Sequence, residues 1–105
     1  MNAVQHALGK LAEEAAEVAK IALKAQQFGL NEIKPGSDQT NAERINEELN
    51  DVIASIEKLN DLGLGFVPDM KKISAKQEKV LQYLSYSVEL GMVDPDAIAE
   101  YGGKE

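Results

Sequence analysis

The chain contains no cysteine, which excludes disulfides and thiolate metal sites, and its single histidine excludes any site that needs two imidazoles. A metal, if one is bound, is held by oxygen. Positive charge is also scarce: 11 Lys and Arg stand against 18 Asp and Glu, giving a net charge of −7 and a pI near 4.7. Binding to DNA or RNA rests on neutralising many phosphates, so a nucleic-acid polymer is not the expected partner. A small anion brought in by a cation remains open. No apolar run is long enough to span a bilayer, and the N-terminus lacks the basic start and continuous apolar stretch of a signal peptide. The expectation is a cytoplasmic protein with no membrane partner. Strand-like alternation and low-complexity segments are missing as well.

What remains is helical. The 105 residues predict one domain, 1–105, with a core modest enough that a second copy would help bury apolar surface. From Ala3 to Phe28 the residues Val4, Leu8, Leu11, Ala15, Val18, Ala22 and Ala25 recur at spacings of three and four, predicting a long amphipathic helix. Gly29 is its candidate C-cap. A connection of about a dozen residues, GLNEIKPGSDQT, follows; its PGS turn resembles no phosphate loop, and a connection of this length is a candidate lid. Thr40 with Glu43 three residues on has the form of a capping box, and Ile45, Leu49, Val52, Ile56 and Leu59 predict a second helix ending at Gly63 or Gly65. Pro68 and Asp69 open a third, carried by Met70, Ile73, Val80, Leu81, Leu84 and Val88 as far as Gly91. Asp94-Pro95 begins a short fourth that runs to about Tyr101, and GGKE reads as a frayed tail. The expected fold is an all-α helical bundle of three main helices plus a short C-terminal helix, completed by oligomerisation as a homodimer or homotetramer.

One pattern occurs twice. EEAAEV, Glu13 to Val18, and EELNDV, Glu47 to Val52, both read Glu-Glu-x-x-acid-Val on successive helices. At about 100° per residue, Glu14 and Glu17 fall roughly 60° and 120° to one side of the apolar stripe, and Glu48 and Asp51 fall at the matching angles on the second helix. Antiparallel packing would bring the four together. Clustered, partly buried carboxylates raise one another's pKa or push the helices apart, and a divalent cation relieves both effects. Hard oxygen ligands at i, i+3 spacing suit Mg²⁺ or Mn²⁺, and magnesium held this way completes its shell with water and phosphate oxygens. Acids beside an apolar stripe are more often a solvated border; the matched duplication is what favours a site. On the third helix Lys72, Lys76, Lys79 and Tyr83 form a column at a similar angle. Those lysines could hold phosphate, or could equally pair with surface glutamates.

The combination of EEAAE and ELND resembles the MazG-like all-α nucleoside triphosphate pyrophosphohydrolases, a superfamily that includes dimeric dUTPases and phosphoribosyl-ATP pyrophosphohydrolases. The match covers roughly Leu8 to Tyr83. The resemblance implies Mg²⁺ bound by Glu14, Glu17, Glu48 and Asp51, with Glu13 in water activation or an additional metal contact. It implies phosphate contacts in the region of Lys72, Lys76 and Lys79, and a nucleoside triphosphate substrate split into monophosphate and pyrophosphate. Two features depart from the family pattern: the connection between the motifs is longer than in many relatives, and no tryptophan is present to stack on a base.

His6 lies near the acidic sector of the first helix and reads as a surface histidine more readily than as a substrate contact. Phe28, Phe66, Tyr86 and Tyr101 read as core or interface aromatics. A ferritin-like di-iron site would need Glu-x-x-His motifs, and neither acid motif has the histidine. The alternative outside enzymes is a helical interaction protein whose acids are surface charge.

Overall fold

The computed structural model describes residues 1–102; the last three residues of the expected frayed tail, 103–105, lie outside them. The chain is all-α. Among the described residues it forms α1 (Ala3–Phe28), α2 (Asn41–Asp61), α3 (Met70–Glu89) and the single turn α4 (Ala97–Glu100). By its internal contacts it divides into two compact units, Met1–Phe66 and Val67–Glu105. None of the four helices is long and apolar enough to cross a membrane.

The first unit is a hairpin of α1 and α2. Asn2 starts α1 with a reciprocal cap: its side chain accepts from the Gln5 N–H at 2.8 Å, and its own N–H donates to Gln5 Oε1 at 2.8 Å. The Thr40 cap anticipated from sequence has the same form, with the Glu43 N–H donating to Thr40 Oγ1 at 3.1 Å and the Thr40 N–H donating to Glu43 Oε1 at 3.0 Å. At the far end of α2 the Gly63 N–H bonds the Asn60 carbonyl and the Leu64 N–H bonds the Leu59 carbonyl. This Schellman closure requires a left-handed residue, and Gly63 supplies it at φ 106°. α1 packs along α2 as the sequence pattern requires, but one partner helix covers only a narrow stripe. Ala7, Ile21 and Leu59 are buried, whereas Val4, Leu8 and Leu49, all on the expected apolar stripes, stay 40 %, 47 % and 45 % exposed.

Asn41 is fully buried at the base of the long connection. Its side-chain amide donates to the Gly29 carbonyl at 2.9 Å and to Glu32 Oε1 at 3.0 Å, while its backbone N–H donates to the Glu32 carbonyl at 3.0 Å. The connection is thus tied to the first turn of α2 by a polar group that no water reaches. Asn41→Ala leaves these acceptors without their side-chain donor and should cost about 1–3 kcal/mol, read as a fall in urea midpoint with little change in slope.

In the second unit the Asp69 carboxylate caps α3, accepting from the Lys71 and Lys72 N–H groups at 3.0 and 3.1 Å. Val80, Leu81, Leu84 and Val88 are half-buried on the side where α3 meets α4, together with Ala97 and Ile98. Met70 and Ile73, expected on the same stripe, are 68 % and 40 % exposed. α4 is shorter than the Asp94-Pro95 start suggested. The Ala97 N–H already bonds the Asp94 carbonyl in a turn, and the helix proper spans only Ala97–Glu100.

Candidate metal centre

α1 and α2 run antiparallel, so residues late in one helix stand beside residues early in the other. Glu14 lies near the middle of α1, with Glu48 and Asp51 one turn apart on α2, all on the flank beside the packed stripe. Each offers a carboxylate oxygen, and these oxygens lie within 4.8 Å of one another. Glu14 and Glu48 are half-buried and Asp51 is exposed. The repulsion is focused on Glu48. Loss of solvent, then the charges of Asp51, Glu14 and Glu17, then a hydrogen bond with Glu14 push its carboxyl above the ordinary value of 4.5. Clustered carboxylates give this shift whether they are metal ligands or a purely structural group.

Glu17 stands outside that close set but near enough for its charge to act on Glu48. Glu13 is not one of the three and forms an exposed ion pair with Lys10, Nζ to Oε2 3.1 Å. Glu47, the first acid of the second motif, accepts from Gln39 Nε2 at 2.6 Å and ties the end of the connection to α2. Lys72, Lys76 and Lys79 are exposed on α3 in the second unit. There Lys79 Nζ sits 5.9 Å from the centre of the Tyr83 ring, and Lys76 lines a shallow hollow of ≈ 640 Å³ with Val80, Leu81 and Tyr101.

A larger feature went unread in the sequence. Beside the acids, between the N-terminal half of α1 and the C-terminal half of α2, runs a groove of ≈ 900 Å³. Glu14 and Asp51 line it, as do Lys10 and Lys58, while Ala7 and Ala54 are among its small apolar residues. His6 also borders it rather than facing away. The signal for the two lysines was present, because on the same helical wheel both fall roughly 100° to 140° from the apolar stripe, beside the acids.

The donor set fits a hard divalent cation: three carboxylates, no sulfur, no imidazole. Comparison adds nothing to this, since no protein-family model, no curated protein and no solved structure matches the chain.

Proposed function

We propose that the protein is a Mg²⁺-dependent nucleoside triphosphate pyrophosphohydrolase, releasing nucleoside monophosphate and pyrophosphate. The observation that carries this reading is the convergence of Glu14, Glu48 and Asp51 within 4.8 Å, from the two motifs that resemble the MazG-like superfamily. Glu14, Glu17, Glu48 and Asp51 would hold the ion, Mg²⁺ or Mn²⁺. Bound there, it would screen the charge of the triphosphate and make water a better nucleophile. The chain's own part is to fix the acids on two rigid helices, so that no side chain has to be gathered from a loop at the moment of reaction. Glu13, adjacent to Glu14 and exposed, is the residue proposed to take the proton from the attacking water.

The test is pyrophosphate release in Mg²⁺ from a panel of nucleoside triphosphates that includes dUTP, with phosphoribosyl-ATP beside them. Turnover of at least one, abolished by EDTA, is expected; no turnover of any would remove the enzymatic reading. A helical interaction protein would then be the better account, favoured by the width of apolar surface that stays exposed.

That same surface supports self-association. Leu23, Phe28 and Ile53 are 64 %, 54 % and 53 % exposed on the hairpin, apolar surface that a second copy would cover. The proposed assembly is a homodimer or a dimer of dimers in the cytoplasm. Light scattering at micromolar concentration should give at least twice the chain mass of 11.4 kDa, and a monomer throughout would count against it.

A further inference from the structure

The groove beside the acids is not explained by metal binding, since a cation needs only the carboxylates at its end. It also contains cations of its own. Lys10 lies four residues before Glu14, about 6 Å along α1, and Lys58 seven residues after Asp51, about 10 Å along α2. The two helices run in opposite directions, so both lysines are displaced from the acids toward the same end of the hairpin and border the same space. Lys10 is engaged by Glu13. Among the described residues Lys58 forms no ion pair, although it shares the groove with two carboxylates.

We propose that this groove is the phosphate-chain subsite, in which Lys58 first and Lys10 second bind the phosphates that extend from the metal centre. The assignment rests on the metal reading above, and it places the phosphate cations on α1 and α2 rather than at Lys72, Lys76 and Lys79. Charge complementarity selects the occupant. Without a metal, the four proposed ligand carboxylates, Glu14, Glu17, Glu48 and Asp51, outnumber the two lysines, and the field at the mouth of the groove repels anions. A divalent cation offsets two of those four charges and brings the acids and the two lysines into balance, so the repulsion falls away where the ion itself can be contacted. Anion binding is therefore conditional on the metal, and by linkage the anion tightens the metal in return. The small side chain of buried Ala7 keeps the floor open, exposed Ala54 leaves the rim low, and the volume, ≈ 900 Å³, suits a ligand of nucleotide size. Lysine fits the role because its three donors follow a flexible chain of phosphates as a mobile point charge.

The experiment measures binding of inorganic tripolyphosphate to the full chain by calorimetry, at saturating Mg²⁺ and again in EDTA, with Mn²⁺ affinity determined separately. Lys58→Gln should weaken tripolyphosphate binding about tenfold, the cost of one charge-assisted contact, and Lys10→Gln somewhat less because Lys10 is shared with Glu13. Ala54→Leu, which crowds the rim without touching charge, should weaken it too. Mn²⁺ affinity should hold or improve in all three. Lys24→Gln, on α1 but outside the groove, and Lys76→Gln, on α3, should each stay within about twofold of the parent. Parental binding in Lys58→Gln and Lys10→Gln, or a loss confined to Lys76→Gln, overturns the groove assignment and leaves the metal centre standing. A parent that binds no Mn²⁺ overturns both. Equal tripolyphosphate binding in EDTA overturns the conditional mechanism and with it the subsite.

Discussion

Glu48→Gln should lower Mg²⁺-dependent pyrophosphate release by roughly a hundredfold or more, since it removes an anionic ligand from a proposed first coordination shell. The same substitution should make the metal-free protein more stable. Those opposite effects are the diagnostic. Glu48 is the acid on which the repulsion of Asp51, Glu14 and Glu17 falls, and glutamine keeps its size and part of its hydrogen bonding while deleting the charge. In EDTA the variant is relieved of that repulsion and should unfold at a higher temperature than the parent. In saturating Mg²⁺ the order should invert, because the parent gains binding energy that the variant has largely lost. The charge control must leave other structure alone. Glu43 would be a poor choice, as its carboxylate accepts from the Thr40 N–H in the α2 cap. Glu57 is exposed and about 120° to the opposite side of the α2 stripe, and Glu57→Gln should change neither activity nor metal response. Parental activity in Glu48→Gln would sink the metal-centre reading outright; equal losses in both variants would reduce it to an effect of net charge.

The helices were legible because their signals are local. Apolar residues at spacings of three and four marked α1 over its observed length, and a threonine followed three residues later by glutamate fixed the start of α2. The angular positions of Glu14, Glu48 and Asp51 were legible for the same reason, since a wheel needs only residue number. What was missed depends on which residues the hairpin brings opposite one another. Asn41 looks like an ordinary helix-start polar residue, and its burial follows from Gly29 and Glu32, twelve and nine residues away, folding back over it. Lys10 and Lys58 are 48 residues apart in the chain and become neighbours in one groove only once α1 and α2 are antiparallel. Their wheel angles matched those of the acids, but opposite charges at one angle read most simply as pairing along a helix. Lys10 with Glu13 does pair in that way. The reach of the apolar stripes was overestimated, because periodicity tells which face a helix would bury and not how much of it a partner covers. Val4, Leu8 and Ile73 all lie on the predicted faces and remain exposed.

Mn²⁺ should stabilise the protein in a saturable way, and the stabilisation should fade as pH falls through the range in which Glu48 takes up a proton. At a free concentration a hundredfold above Kd, one site contributes about 2.7 kcal/mol, which for a chain of this size corresponds to roughly 10–20 °C in Tm. The pH dependence follows from the direction of the Glu48 shift. Its carboxyl titrates above 4.5 in the folded chain, so between 4.5 and that raised value the folded state holds more protons than the unfolded one, and stability falls as pH rises. In EDTA this contribution is fully present below the unfolded pKa and lost as pH climbs through the folded one. Glu43 acts in the opposite sense: the Thr40 backbone and side-chain hydrogen bonds hold its carboxyl below 4.5, so its contribution is present above that value and lost toward acid. Glu48→Gln therefore isolates the Glu48 part, and its EDTA curve should lack the decline that the parent shows above pH 4.5. Manganese requires the ionised carboxylate, so in its presence the parent's stability should rise across the window in which the metal-free curve falls. Tm measured in half-unit steps from pH 4 to pH 8, with EDTA and with Mn²⁺, should give two curves that meet at the acid end and separate steadily above it. Curves that run parallel would mean that the ion is not bound by the carboxylate on which the cluster's repulsion is concentrated.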